Sequence, residues 1–322
     1  MAFDANTADS LPMRERRSLG AAWCCIVGLL LGSFSVGCKV VKPRDDDRSA
    51  LAKLAANPVT YIVEDLRSRL PAKEPTHARL WRSDLAVLPY AEIESDRVVL
   101  HNIRDCEYRT EEDYDVRHFD RQVFLKDVQS LDFIVVPFKN TPALAHTMLS
   151  FGLADGQHLV FSAEARLEQH ETYSAVASAS KEFELMWIVG TERDLVRLRT
   201  EVRNVDVYIY PLKISPVQAQ SVFLGAVARV NAIARTPEFY DLLTNNCTTN
   251  IVDMVNSLKP DAIPSDIRVL LPGHSDRLAY DLGLLAMPGT FEQVKAASRI
   301  NLAAHLNAQD PNFSQAIRQS RR

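Results

Sequence analysis

At 322 residues, with 47% hydrophobic and 24% charged side chains, the chain has the composition of one large or two ordinary globular domains, which excludes a small stapled scaffold and a disordered protein. A formal charge of -4, from 41 acidic and 37 basic residues, gives no field to hold a polyanion, so no nucleic-acid partner is expected. The five cysteines, Cys24, Cys25, Cys38, Cys106 and Cys247, lack the C-x-x-C or Cys/His spacing of a zinc site, and neither a metal nor another cofactor is expected.

In chain order, the first feature is Arg14, Arg16 and Arg17 followed by an uncharged run from Ser18 to Cys38 that contains Ala21-Ala-Trp-Cys-Cys-Ile-Val-Gly-Leu-Leu-Leu31. A basic flank, an apolar core and small residues at its end make an export signal. The run is also long enough to span a bilayer, which takes about 20 residues. Three fates are open: cleavage, retention as an amino-terminal anchor, or lipidation at Cys38, where Ser35-Val36-Gly37 suits a lipobox except that Ser35 replaces the usual Leu. Anchor or lipoprotein is preferred. The expected location is therefore the bacterial inner membrane, or a lipoprotein anchor, with the catalytic domain in the periplasm. Residues 1–42 form this segment, and residues 43–84 read as a charged tether leading into a short helix.

From about residue 84 to 200 short β-rich runs are bounded by turn residues: Arg97-Val-Val-Leu-His-Asn-Ile103, Leu131-Asp-Phe-Ile-Val-Val-Pro-Phe138, Thr147-Met-Leu-Ser-Phe151, His158-Leu-Val-Phe-Ser-Ala163 and Phe183-Glu-Leu-Met-Trp-Ile-Val189. Asp155-Gly156 between two apolar runs predicts a hairpin, and Val205-Asp-Val-Tyr-Ile-Tyr-Pro-Leu212 predicts one more strand. After Ser215 the period changes to three or four. Ser215-Pro216-Val217-Gln218 is a capping box with proline at the first helical position, which predicts a helix over 216–235. A second helix is expected from Asn246, with Cys247, Ile251, Val255 and Leu258 on one face, then weaker helices near 275–285 and 290–306. Residues 85–310 form the main body and 311–322 a frayed basic tail. The fold class is α+β, an antiparallel sheet with helices packed on it.

The chemistry concentrates at the second helix. In Thr244-Asn-Asn-Cys-Thr-Thr-Asn250 the cysteine falls in the first helical turn, where free N–H groups and the positive end of the dipole stabilise a thiolate. Asn245 or Asn246 would assist the main-chain N–H groups in holding an oxyanion. Of the eight histidines, His146 at the entrance of the hairpin is the best base. The return strand brings Ser162, Glu164 and Arg166 toward its level, and Glu164 is preferred over Ser162 and His158 as the group that orients the imidazole. The competing readings are plain ones: Cys247 as an inert thiol or as the partner of Cys106 in a disulfide, His146 as a satisfied half-buried side chain, and Glu164 with Arg166 as a cross-strand pair. The run Thr191-Glu-Arg-Asp-Leu-Val-Arg-Leu-Arg199 is expected as a solvated, salt-bridged face. Alternatively Arg193, Arg197 and Arg199, with Arg166, hold an anionic head group.

Five blocks then carry a resemblance: Asn102-Ile-Arg-Asp-Cys-Glu-Tyr-Arg109; His146-Thr-Met-Leu-Ser-Phe-Gly152 with Phe161-Ser-Ala-Glu-Ala-Arg166; Gly190-Thr-Glu-Arg-Asp-Leu-Val-Arg-Leu-Arg199; Asp206-Val-Tyr-Ile-Tyr-Pro-Leu212; and Phe239-Tyr-Asp-Leu-Leu-Thr-Asn-Asn-Cys-Thr-Thr-Asn-Ile251. Over about residues 85–300 the chain resembles the Lnb N-terminal periplasmic domain family, named for a bacterial lipoprotein N-acyltransferase. The resemblance implies a catalytic His and Cys that map onto His146 and Cys247. The order His before Cys and the Asn-Cys helix start are similar to circularly permuted papain-like enzymes, the NlpC-type core and the lecithin retinol acyltransferase group among them. Cys106 departs from the family pattern, which has an aromatic there. What the resemblance implies is a membrane-associated cysteine acyltransferase that moves an acyl chain from a phospholipid, through a Cys247 thioester, to an amine such as the N-terminus of a lipoprotein. The alternatives are a Cys/His cell-wall amidase or peptidase, which needs a polar peptide groove, and a non-catalytic periplasmic lipoprotein that binds lipid or partners.

Overall fold

A computed structural model of the chain describes residues 74–174, 177–178 and 181–319. The expected export segment with Cys38 and nearly all of the expected tether lie outside the described residues. The strands are β1 (Tyr90–Glu94), β2 (Arg97–Arg104), β3 (Glu107–Tyr108), β4 (Tyr114–Asp115), β5 (His118–Phe124), β6 (Val128–Phe138), β7 (Thr141–Leu153), β8 (His158–Arg166), β9 (Glu184–Thr191) and β10 (Tyr208–Pro211). One large sheet runs β1-β2-β9-β8-β7-β6-β10, with β5 also on β2, and β3 and β4 form a separate ribbon. Every pairing is antiparallel except the single join of β2 to β9 at Arg104 and Gly190.

The meander β6 to β9 is the centre of the fold. Its strands are almost continuously apolar, and all but the last residue of β9 are buried, as expected of strands covered on both faces. The β7–β8 hairpin closes at Asp155-Gly156, where Gly156 takes a φ of +82° that an L side chain rarely adopts. Its pairing of Leu149 with Phe161 and Ser150 with Val160 sets the level at which the two strands face each other.

The helices are α1 (Glu192–Arg197), which continues as a π turn over Leu198–Val202, then α2 (Pro216–Arg235), α3 (Cys247–Leu258), α4 (Ile267–Leu270), α5 (Ser275–Asp281), α6 (Phe291–Ser298), α7 (Asn301–Leu306) and α8 (Phe313–Gln319). The capping box of Ser215 and Gln218 starts α2, and Pro216 occupies its first turn. Its buried face of Ala219, Phe223, Ala226, Val227, Val230 and Ile233 lies on the sheet. There the Phe223 ring meets those of Phe151 and Phe161 edge-on at 5.3 and 5.6 Å. Beside it α3 packs on β7 and β8. The fold is thus α+β, with a mostly antiparallel sheet. No helix among the described residues is long and apolar enough to cross a membrane.

Three expectations are corrected. The run 191–199 is not a solvated face: Glu192, Asp194, Leu195, Val196, Leu198 and Arg199 are all buried, because their charges find partners inside the molecule. The helix expected over 290–306 is two, α6 and α7, broken at Arg299 and Ile300. The frayed tail contains α8, whose Phe313 and Ile317 are buried and whose Arg318 donates to Glu192 and Asp132.

Candidate active site

Cys247 is the first residue of α3, and its position is held by the turn before it. The Asn246 side chain accepts from Thr248 N at 2.8 Å and Thr249 N at 2.9 Å, while Asn246 N donates to Thr249 Oγ1 at 2.8 Å, a reciprocal cap that satisfies the helix start. One residue earlier, the Asn245 amide donates to Glu238 Oε2 and to Phe239 O and accepts from Asn250 Nδ2 at 2.8 Å. Arg229 from α2 grips Glu238 with two bonds of 2.6 and 2.7 Å. Both asparagine amides therefore hold the loop and the helix start. Neither lines the cavity beside the pair, and their effect on an oxyanion is indirect.

His146 comes from β7. The thiol of Cys247 lies 3.8 Å from Ala145 O, and the hydroxyls of Thr147 and Thr248, the residues that follow the histidine and the cysteine, are 3.0 Å apart. This buried stitch fixes β7 against the start of α3. From β8, Ser162 Oγ is 2.7 Å and Glu164 Oε1 3.1 Å from His146 Nε2, and the serine hydroxyl donates to the same carboxylate oxygen at 2.8 Å. Arg199 Nη2 donates to that oxygen as well, at 2.8 Å. With Nε2 engaged by β8, Nδ1 is the nitrogen left for the thiol.

The electrostatics follow from this packing. Burial opposes a charged imidazole, but the Glu164 carboxylate and then Cys247 outweigh it, and His146 is raised to about 9. Burial likewise opposes a thiolate. The His146 charge and hydrogen bonds from His146 and Thr147 overcome it, and Cys247 is lowered to about 7. Glu164 is held well below the usual carboxylate range, where His146 and Arg199 outweigh burial. Cys106 is the contrast: burial and the nearby Asp194 push it up to about 11. Both cysteines are free thiols.

A cavity of about 660 Å³ opens beside the pair. Phe138, Tyr173, Tyr240, His146 and Glu164 line it, together with Arg199, Arg82, Arg203, Glu111 and Glu112. Of the arginines expected at a head group, only Arg199 reaches it. Arg166 donates to the carbonyls of Leu85 and Ala86 and lies 4.2 Å from the Trp81 ring, Arg193 donates to Asp310 O, and Arg197 to Glu107. These three are tied to the scaffold, and none of them lines this cavity.

Residues 114–273 match the model of the Lnb N-terminal periplasmic domain. That stretch of the chain belongs to the Lnb family. It runs from β4 to the turn after α4 and contains His146, Ser162, Glu164, Arg199, Tyr240 and Cys247. The Lnb match leaves β1 to β3 and the helices α5 to α8 outside it. By its description the Lnb domain is periplasmic. No curated protein and no solved structure gives a significant match to the chain.

Thr147 and Tyr240 are the site residues that sequence reasoning passed over. Thr147 adjoins the histidine and could have been found by asking what holds β7 to the helix. Tyr240 lies seven residues before Cys247 on an irregular loop, where no periodicity points.

Proposed function

We propose that this protein is a periplasmic cysteine acyltransferase working through a thioester on Cys247. The observation that carries the reading is the matched pair of shifts, a thiol lowered to about 7 facing an imidazole raised to about 9, at a helix start beside a cavity. Near pH 8 such a pair exists as thiolate and imidazolium. The thiolate attacks an ester carbonyl, and the C–S bond forms as the carbonyl oxygen becomes an oxyanion. The Tyr240 hydroxyl, which lines the cavity next to the main chain of Cys247, is the donor we assign to it. Collapse breaks the ester C–O bond, and the His146 proton passes to the leaving alkoxide. An amine then attacks the thioester, gives its proton to His146 and releases the thiolate, so that the amide forms and the enzyme is regenerated. Family membership and the export signal support a phospholipid as acyl donor and a lipoprotein N-terminus as acceptor, with the domain kept at the membrane where both substrates reside. The permuted papain-like arrangement is supported by the His-before-Cys order and by the cysteine at a helix start facing a strand histidine.

One observation favours a second reading. The cavity lining carries charges of both signs, Arg82, Arg203, Glu111 and Glu112, which suits a polar peptide and hence a Cys/His amidase. The test is to incubate the protein separately with phospholipid plus a diacylated lipopeptide, and with cell-wall peptide fragments. A hydroxylamine-sensitive acyl adduct on the Cys247 peptide in the first arm, followed by an N-acylated product, is expected. An adduct or cleavage only in the second arm would replace the acyltransferase by an amidase, and none in either arm would favour a binding protein.

A further inference from the structure

Arg199 is 2% exposed and carries a guanidinium for which the reaction above has no use. It lies in the π turn Leu198–Val202 that follows α1, and the wider turn shifts side chains off the helical register, a feature that recurs at functional sites. Its Nη1 donates to Leu195 O at 2.8 Å and its Nη2 to Glu164 Oε1 at 2.8 Å. That oxygen is the one shared by Ser162 and His146. We propose that Arg199 is a positioning residue, which keeps Glu164 ionised and aimed at His146 Nε2 so that Nδ1 faces the thiol of Cys247.

The physical reason is that a buried carboxylate without a counter-charge takes up a proton and loses its hold on an imidazolium. The groups facing Glu164 are His146 from β7, Ser162 from β8 and Arg199 from the π turn, with Cys247 at the start of α3 coupled electrostatically to the histidine. Tyr173 and Tyr240 on the loops also feel its charge, and Arg203 and Arg104 act on Arg199 itself. Among these, Arg199 is the fixed cation in direct contact with the carboxylate, and its other bond, to Leu195 O, anchors it to α1. This role replaces the head-group contact expected from the sequence. It rests on the reading of Cys247 and His146 as a catalytic pair.

The test follows alkylation of Cys247 by iodoacetamide in the full chain from pH 5 to 9, quantified on the Cys247 peptide, in wild type, Arg199→Met, Arg199→Lys and Glu164→Gln. In wild type the rate should rise with a limb near pH 7. In Arg199→Met the limb should move up by about one pH unit, so that alkylation at pH 7 slows roughly fivefold. Glu164→Gln should move it likewise, the double variant should be no worse than either, and Arg199→Lys should restore most of the rate. A residue that served only the scaffold would change yield or melting temperature and leave the limb in place. If Arg199→Met does not fold, Arg199→Gln, which keeps polar contacts but removes the charge, carries the test: an upward step is expected, and an unmoved limb overturns the proposal. An unmoved limb in folded Arg199→Met alongside a moved one in Glu164→Gln also overturns it while leaving the pair intact. Wild-type Cys247 titrating as an ordinary thiol would instead overturn the pair.

Discussion

At the scale of single residues, the proposed reaction makes Cys247 and His146 one unit, and their substitution should show it. Cys247→Ala removes one sulfur from a buried helix start and opens no new polar group, so the fold should persist while turnover disappears. His146→Ala should be nearly as severe, and the double variant little worse than either, because groups that act together are strongly non-additive. Activity measured at equal abundance of folded protein checks this. Wild-type activity in Cys247→Ala would sink the enzyme reading. The pH profile has a definite sign as well. Turnover should switch on as pH rises through about 7, where Cys247 ionises, and fall as it rises through about 9, where His146 loses the proton it must give to the leaving group. A flat kcat/KM between pH 6 and 10 would contradict it. Tyr240→Phe should lower kcat by about a hundred-fold if its hydroxyl helps hold the oxyanion, with little effect on KM.

At the scale of elements, the start of α3 is the part whose stability and chemistry are most closely joined. Asn246 satisfies two N–H groups of the first turn, so Asn246→Ala should cost roughly 1–2 kcal/mol in chemical denaturation and slow Cys247 alkylation as the turn frays. Asn246→Asp keeps an acceptor for both N–H groups but loses the Nδ2 donor to Leu242 O, so it should restore only part of the stability. The Ser215-Gln218 box that starts α2 is legible directly in the sequence, because caps are local chemistry and need no tertiary partner, whereas the sequence points to Asn246 as an oxyanion helper and its capping role emerges from the fold. The edge strands β1 and β5 were not visible. Most of their residues are exposed or half-buried, and without a clear apolar alternation the backbone pairing with β2 carries them.

At the scale of the molecule, the C-terminal helix is tied to the body by a buried charge cluster. Arg318 on α8 donates to both oxygens of Glu192 and to Asp132, and Glu192 also accepts from Ser150 at 2.6 Å. Burial would raise the Glu192 carboxyl, but Arg318 outweighs it and holds it well below the usual range. The stability this group contributes is complete above the ordinary glutamate range and is lost as pH falls through its depressed value. Arg318→Ala should therefore destabilise the protein by about 3–5 kcal/mol at neutral pH, since two buried carboxylates lose their cation. Thermal melts of Arg318→Ala and of Arg318→Ala/Glu192→Gln check this, the double variant recovering part of the loss. Equal melting of wild type and Arg318→Ala would show the cluster to be unimportant.

The sequence by itself determined what short-range chemistry can determine. The apolar runs of β6 to β9, the Asp155-Gly156 turn and the capped start of α2 all follow from patterns a few residues long, and so does the placement of Cys247 at a helix start. The pairing of His146 with Glu164 followed from the hairpin, since a tight turn sets the level at which its two strands meet. Tertiary structure decided what depends on distant partners. A run of alternating charges such as Thr191–Arg199 looks solvated in one dimension, and only the folded chain supplies Arg104 for Asp194, Arg318 for Glu192 and Glu164 for Arg199. A charge is buried when its counter-charge arrives from elsewhere in the chain. That is why arginines expected at a ligand became part of the scaffold, and why one of them, Arg199, came to stand behind Glu164 and His146.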